Sequence, residues 1–108
     1  MKIKPRKKIV GPMRIKEYLI NHNFTGSLIE LNGEHGMMKS LTEDRLYFVI
    51  EGKGKFIING KSEQANPEDL FFISKNTPYN IIGKMKYFLV CSPEFHPEND
   101  IFFDRRIN

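Results

Sequence analysis

The chain has 108 residues, of which 40% are hydrophobic and 28% charged, a balance typical of one small globular domain rather than of a disordered or membrane protein. No apolar run approaches the roughly 18–20 residues that span a bilayer, so no membrane partner is expected. The net charge is +4, but Lys2, Lys4, Arg6, Lys7 and Lys8 lie close together at the start, and the remainder is nearly neutral. We interpret this basic segment as a solvated arm.

Cys91 is the only cysteine, so the chain has no internal disulfide. This composition favours a reducing, cytoplasmic location. No signal peptide is expected, because Pro12, Arg14, Lys16 and Glu17 interrupt any apolar segment after the basic start.

The first part of the chain carries the weakest structural signal. Residues 1–12 are predicted to be irregular and end at Gly11-Pro12. Residues 13–22 have apolar side chains at 13, 15 and 18–20, which is compatible with either a short helix or an entry strand. We therefore expect an irregular or short helical N-terminal arm over 1–22 and a single barrel domain over 23–108.

The rest of the chain alternates short β-prone runs with Gly, Pro and Asn turns. Asn59-Gly60 is the clearest hairpin signal, because both turn positions require a positive φ. Many short strands with almost no helix predict an all-β sandwich or closed barrel. The candidate strands are 25–31, 36–41, 45–51, 54–60, 61–65, 69–74, 79–82, 85–91 and 101–103.

Residues 33–83 resemble the cupin superfamily. Its first motif is Gly, five residues, His-x-His, three or four residues, Glu, six residues and Gly, and Gly33 and Gly52 frame this length with the three-residue option. Its second motif is similar to EDLFFISKNTPY at 68–79, and the hairpin lies between the two motifs. YFVIEGKG and SPEFHPEND are also similar to small single-domain cupins whose role is generally unassigned. The resemblance implies a single-domain jelly-roll β-barrel.

The positions that hold a metal in cupins carry other residue types here. They fall on Lys39, Leu41, Arg45 and Tyr79, and the four-residue spacing would move the two His positions to Met38 and Ser40. A transition metal prefers neutral imidazoles and carboxylates, whereas Lys and Arg are cationic. We therefore expect no metal and no other cofactor.

The strand period of two places Arg45, Tyr47 and Val49 on one face, which the cupin frame turns toward the interior. The candidate pocket residues are Lys39, Arg45, Tyr47 and Tyr79. Arg suits bidentate capture of a carboxylate or phosphate, and Tyr offers a hydroxyl and an apolar face to a sugar. Three alternatives stay open: Arg45 pairs with a nearby acid, Lys39 faces solvent, and Tyr79 closes the barrel mouth.

These features suggest a metal-free barrel that binds a small anionic or sugar-like ligand. The alternative is a cofactor-independent sugar or sugar-phosphate isomerase or epimerase, which needs a general base. His22, His35 and His96 lie outside the motif frame and are interpreted as surface or loop residues, so binding is favoured and catalytic residues stay unassigned. Nucleic-acid binding is disfavoured, because no aromatic-interleaved basic surface is evident.

The outward-facing apolar residues exceed what one small barrel covers, which predicts a homodimer. The residues are Leu46, Phe48, Ile50, Phe71, Phe88 and 101–103.

Overall fold

The computed structural model describes residues 1–103, so the last five residues of the predicted barrel segment lie outside the described part. The strands are β1 Arg6–Val10, β2 Met13–Asn21, β3 Phe24–Glu34, β4 Met38–Ser40, β5 Asp44–Ile58, β6 Lys61–Ala65, β7 Leu70–Ile73, β8 Tyr79–Ser92 and β9 Asp100–Phe102, with one 3-10 turn at Pro97–Asn99. Within residues 1–103, no helix has the length and apolarity needed to cross a membrane.

The sheet is organised around β8, the long strand that pairs with both β3 and β5. Every pairing is antiparallel, and the order β1-β2-β3-β8-β4-β9 is joined by β5, which also pairs with β6 and β7. Strands of 14 and 15 residues twist strongly enough for one antiparallel sheet to curl over its own inner face. The predicted all-β fold is confirmed.

The N-terminal arm forms strands, so the prediction of an irregular or helical segment was wrong for 6–10 and 13–21. Residues 6–10 pair with β2, and β2 pairs along β3. Met13 and Glu17 are buried with Ile15 half-buried between them, while Arg14 and Lys16 are exposed. This period of two suits a strand with one face on the barrel interior, so the entry-strand alternative is the one found.

Alternation along β5 divides the molecule into an inner and an outer face. Arg45, Tyr47 and Val49 are buried, and the residues between them are exposed, as predicted. Phe71 was predicted to lie outside, but it is buried with its ring stacked on Phe56 at 4.1 Å between centroids. The outward side chain is its neighbour Phe72, because a shift of one residue along a strand exchanges the two faces.

Two strands approach closely at Gly52, the glycine that closes the first motif. Its φ is +88°, and a Cβ there would collide with the carbonyl oxygen of Lys84 on β8. Gly60 in the hairpin has a similar φ of +81° but no atom within 4 Å of an added Cβ. A comparison of substitutions at the two positions therefore separates the cost of a positive φ from the cost of a collision between β5 and β8.

We expect Gly52→Ala to destabilise the protein more than Gly60→Ala. Both substitutions carry a positive-φ cost of about 1 kcal/mol, and the collision adds about 1–3 kcal/mol at Gly52. Urea denaturation of the two variants measures the difference. Equal losses would contradict the close packing of β5 on β8.

Candidate ligand-binding cavity

A cavity of about 340 Å³ opens between the inner face of the sheet and the segment that follows β8. Its wall combines apolar residues with a polar set: Lys8, Glu17, Ser27, His35, Arg45, Tyr47 and Asp100. Two wider grooves lie on the outer face, but this cavity is the one that contains buried charged side chains. It is therefore the candidate functional site.

Arg45 lines the cavity, but its side chain is only 3% exposed. Its Nε and Nη2 donate to Glu43 Oε1 at 3.3 and 2.9 Å, and Nη2 also donates to Asp100 Oδ1 at 2.7 Å. Its Nη1 donates to the Tyr79 hydroxyl at 2.8 Å and to Met38 Sδ at 3.7 Å. These contacts use all five N–H groups of the side chain.

Arg45 therefore binds the protein's own groups rather than standing free for a ligand. The expected bidentate capture of an anion does not fit this arrangement, whereas the alternative of a salt bridge does. The nearby acid that pairs with Arg45 is Glu43, and its carboxylate is fully buried. Asp100, which supplies the second ion pair, had no signal in the sequence because it lies 55 residues from Arg45.

The segment after β8 covers the cavity through the same network. The backbone N–H of His96 donates to Glu43 Oε2 at 3.2 Å, and that of Phe95 donates to Thr25 Oγ1 at 2.9 Å. The Phe95 ring lies 5.6 Å from the Arg45 guanidinium, within cation–π range. The buried ion pairs thus hold the cover in place.

Tyr79 and Tyr47 continue the hydrogen bonds of Arg45 toward the cavity. The two hydroxyls are 2.5 Å apart, and burial raises the pKa of both groups, so both stay protonated at neutral pH. Because Arg45 only donates, the Tyr79 oxygen accepts from it, and the Tyr79 proton finds its acceptor among the described residues in Tyr47. Tyr47 then keeps its own hydroxyl proton to donate, and its side chain lines the cavity.

His35 lies in the loop after β3, as predicted, and its side chain also lines the cavity. Its Nδ1 lies 2.9 Å from the carbonyl oxygen of Gly36, which can only accept, so Nδ1 carries the proton and Nε2 is the free base. Burial lowers the pKa of His35 and keeps the ring neutral at pH 7. The ring stacks between Tyr79 and Phe102, at 5.8 and 6.0 Å between centroids.

The other two histidines fit the prediction of surface residues. The His22 side chain is 97% exposed and that of His96 is 49% exposed, and both approach Glu94 Oε1, at 3.1 and 3.5 Å. They lie on the outside of the cover rather than in the cavity.

Lys39 points away from the cavity, contrary to its prediction as a pocket residue. On β4 the buried side chains are Met38 and Ser40, whereas the Lys39 ammonium lies 5.9 Å from the exposed ring of Phe103. Leu41 is also exposed. The four-residue spacing of the first motif is therefore the one that matches the inner face, since strand side chains alternate.

The residues at the former ligand positions do not fit a transition metal. Met38, Ser40, Arg45 and Tyr79 offer a thioether, two hydroxyls and a cation already paired with carboxylates, rather than imidazoles and an available carboxylate. Within the described part of the chain, no group of three or more His, Cys, Asp and Glu residues is placed to hold a metal ion.

The N-terminal hairpin contributes two charged residues to the cavity wall, Lys8 from the segment interpreted as a solvated arm and Glu17 from β2. Glu17 is buried on β2, and its carboxylate lies 3.0 Å from Arg6 Nη2 and 3.5 Å from Lys8 Nζ. The Lys8 ammonium also lies 5.5 Å from the Phe95 ring of the cover. The arm thus forms part of the cavity wall.

Comparisons with known proteins rest on structure alone, because no protein-family model and no curated protein matches the chain. A Streptomyces Pac13 variant solved with uridine is 18% identical, with a TM-score of 0.88 over 95% of this chain and 89% of that one. KdgF from a Halomonas species is 13% identical, with a TM-score of 0.78 over 86% and 89%. The Schizosaccharomyces pombe Cnp3 cupin domain is 13% identical, with a TM-score of 0.73 over 82% and 68%. The chain thus has the cupin-type barrel fold that the motif spacing indicated.

We expect Asp100 to make the stability depend on pH. Burial raises its pKa from 3.8 to about 6, so the folded protein binds this proton more tightly than the unfolded chain does. The resulting stability is fully present below pH 4 and is lost as the pH rises through about 6. Asp100→Asn should flatten the melting temperature between pH 4 and 7, and parallel curves for the two proteins would contradict the assignment.

Proposed function

We propose that this chain is a metal-free cupin-type barrel that binds a small, neutral, hydroxyl-rich ligand of the sugar or nucleoside type in the 340 Å³ cavity. The observation that supports the proposal is the hydrogen-bond chain from Arg45 through Tyr79 to Tyr47, which leaves the proton of Tyr47, a residue of the cavity wall, to donate to a ligand. A cavity of this size is at the lower end of the range for small-molecule sites.

The charges around the cavity favour a neutral ligand over an anion. Arg45 is paired with Glu43 and Asp100, so its positive charge is offset by two carboxylates. Lys8 and Arg6 share Glu17. No cation that lines the cavity within residues 1–103 lacks a carboxylate partner, so the sugar-like half of the original expectation is the better supported one.

The structural relatives support the same ligand class. Pac13 is described as a nucleoside dehydratase, and its variants with a tyrosine changed to phenylalanine or a histidine changed to glutamine were solved with uridine. The cavity of this chain is lined by a histidine and a tyrosine, His35 and Tyr47. Uridine is therefore the first probe we would use.

A second candidate function, cofactor-independent catalysis, is favoured by the placement of His35. Its neutral Nε2 can accept a proton from a carbon or hydroxyl of the ligand, and Tyr47 can donate one. Such a pair serves isomerisation, epimerisation or elimination of water from a sugar ring. In the sequence His35 lies outside the motif frame, and its position in the cavity wall supports a role as the base.

We expect uridine or a neutral sugar to raise the melting temperature, and uridine 5′-monophosphate to bind no more tightly. Tyr47→Phe should weaken binding about tenfold, because one hydrogen bond contributes about 1–1.5 kcal/mol. Lys39→Ala is the matched control and should bind normally. Isothermal titration of the three proteins measures the effect.

The same experiment separates binding from catalysis. NMR of the bound probe reports conversion, and His35→Gln should abolish turnover while binding persists if His35 is the base. Unchanged affinity of Tyr47→Phe would contradict the cavity assignment. Stoichiometric transition metal in the purified protein would contradict the metal-free part of the proposal.

We also retain the homodimer, in a cytoplasmic setting consistent with a single thiol, as part of the proposal. Leu46, Phe48, Leu70 and Phe72 are between 39% and 61% exposed on the outer face of β5 and β7. The register places Leu46 opposite Phe72 and Phe48 opposite Leu70, so the four form one apolar patch. A second copy of the chain is the partner that would cover it.

We expect sedimentation equilibrium to show a dimer at micromolar concentration. Phe72→Lys should give a monomer, because it places a charge in the centre of the patch. Ile9 is also an exposed apolar residue, but it lies on β1 at the other end of the sheet. Ile9→Lys should therefore leave the dimer intact. A monomeric unmodified protein would contradict the interface.

A further inference from the structure

The outer face of the sheet is basic at its β1 end, whereas the apolar patch lies at the β5 and β7 end of the same face. A groove of about 610 Å³ crosses β1, β2, β3 and β8 there. Lys7, Arg14, Lys16 and Lys86 line it, with Glu30 as the carboxylate among them. Lys8 also borders the groove, but its ammonium lies against Glu17.

The acidic residues of this face lie next to only part of its positive charge. Glu30 is opposite Arg14 and Lys86 in the strand register, and Glu51 is also opposite Lys86, so the cations among these four without an acidic cross-strand neighbour are Lys7 and Lys16. Lys7 lies directly opposite Lys16 in the β1–β2 register, a like-charge pair that destabilises a sheet. Of the ion pairs that residues 1–103 form, none involves Lys7, Arg14, Lys16 or Lys86. A polyanion would relieve this repulsion.

An adjoining groove of about 520 Å³ extends the basic surface along the same face. It shares Arg14, Glu30 and Lys86 with the first groove and adds Lys84. Lys84 again lies opposite a lysine, Lys53 of β5. The two grooves form a continuous track, which suits several phosphates in a row better than one small anion.

Two aromatic side chains lie beside the track on the outer face of the sheet. Tyr18 and Phe88 are half-buried, with ring centroids 6.3 Å apart, and Phe88 continues the cross-strand row that starts at Lys7, Lys16 and Leu28. A basic groove beside partly exposed rings suits single-stranded nucleic acid, since phosphates follow the cations and bases stack on the rings. An acidic peptide would use the cations but not the rings.

We propose that this surface, made of Lys7, Arg14, Lys16, Lys84 and Lys86 with Tyr18 and Phe88, binds single-stranded nucleic acid. The site is separate from the cavity, so it stands independently of the proposed ligand. Phe88 lies opposite Phe48, so the surface adjoins the apolar patch on β5 and β7 there, but none of the five cations belongs to that patch. The sequence did not indicate it, because its basic and aromatic residues are brought together only by strand pairing.

Fluorescence anisotropy of the full chain with a labelled oligothymidylate of twelve nucleotides tests the proposal. At 50 mM salt we expect binding, and a log–log plot of affinity against salt should be linear with a slope of about −0.7 for each phosphate contacted. The double variant Lys16→Gln/Lys86→Gln should bind at least tenfold more weakly. Its slope should be shallower by about 1.4, because two phosphate contacts are lost. Tyr18→Ala should weaken binding without changing the slope.

The matched control is Lys61→Gln/Lys75→Gln, which removes two exposed lysines from turns away from the track and should bind like the unmodified protein. Lys16→Gln should also melt at the same or a higher temperature, because it removes a like-charge pair. No binding at 50 mM salt, or an unchanged slope in the track variant, overturns the proposal. Equally tight binding of polyglutamate also overturns it, since the partner would then be an acidic protein.

Discussion

The buried guanidinium of Arg45 is the interaction on which the cavity depends. A buried cation is tolerated only when its N–H groups and its charge are satisfied, and here each requirement is met from a different part of the chain. Glu43 comes from the turn before β5, Tyr79 begins β8, and Asp100 belongs to the segment that covers the cavity. The Arg45 side chain therefore connects the turn before β5, the start of β8 and the segment that covers the cavity.

The chemistry available in the cavity follows from this network. Because the N–H groups of Arg45 are all used, the neutral polar groups of the cavity wall include the Tyr47 hydroxyl and the free nitrogen of His35. Both are neutral at pH 7, since burial raises the pKa of the phenol and lowers that of the imidazole. A neutral donor beside a neutral acceptor is suited to hydroxyl groups, and it is also the minimum set for acid–base chemistry on a sugar.

The outer face differs, because some of its cations lie opposite each other rather than opposite an acid, as Lys7 does with Lys16. Along the sheet, the β1–β2 end carries lysines opposite lysines, and the β5–β7 end carries an apolar patch of leucine and phenylalanine. Such unneutralised and uncovered surfaces cost free energy in the isolated chain. The two surfaces for which we propose partners therefore differ in chemistry, one basic and one apolar, although they share one face of the sheet.

The barrel and the inner face of β5 could be predicted from the sequence, because glycine spacing, the Asn59-Gly60 hairpin and the alternation around Tyr47 are local patterns. The same reasoning misplaced Lys39 and Phe71, since a shift of one residue exchanges the two faces of a strand and the motif allowed two spacings. His35, Glu17 and Asp100 reach the cavity through pairings between segments far apart in the chain. Composition and local pattern thus determined the kind of fold, while long-range register and the partners of Arg45 decided which side chains form the site.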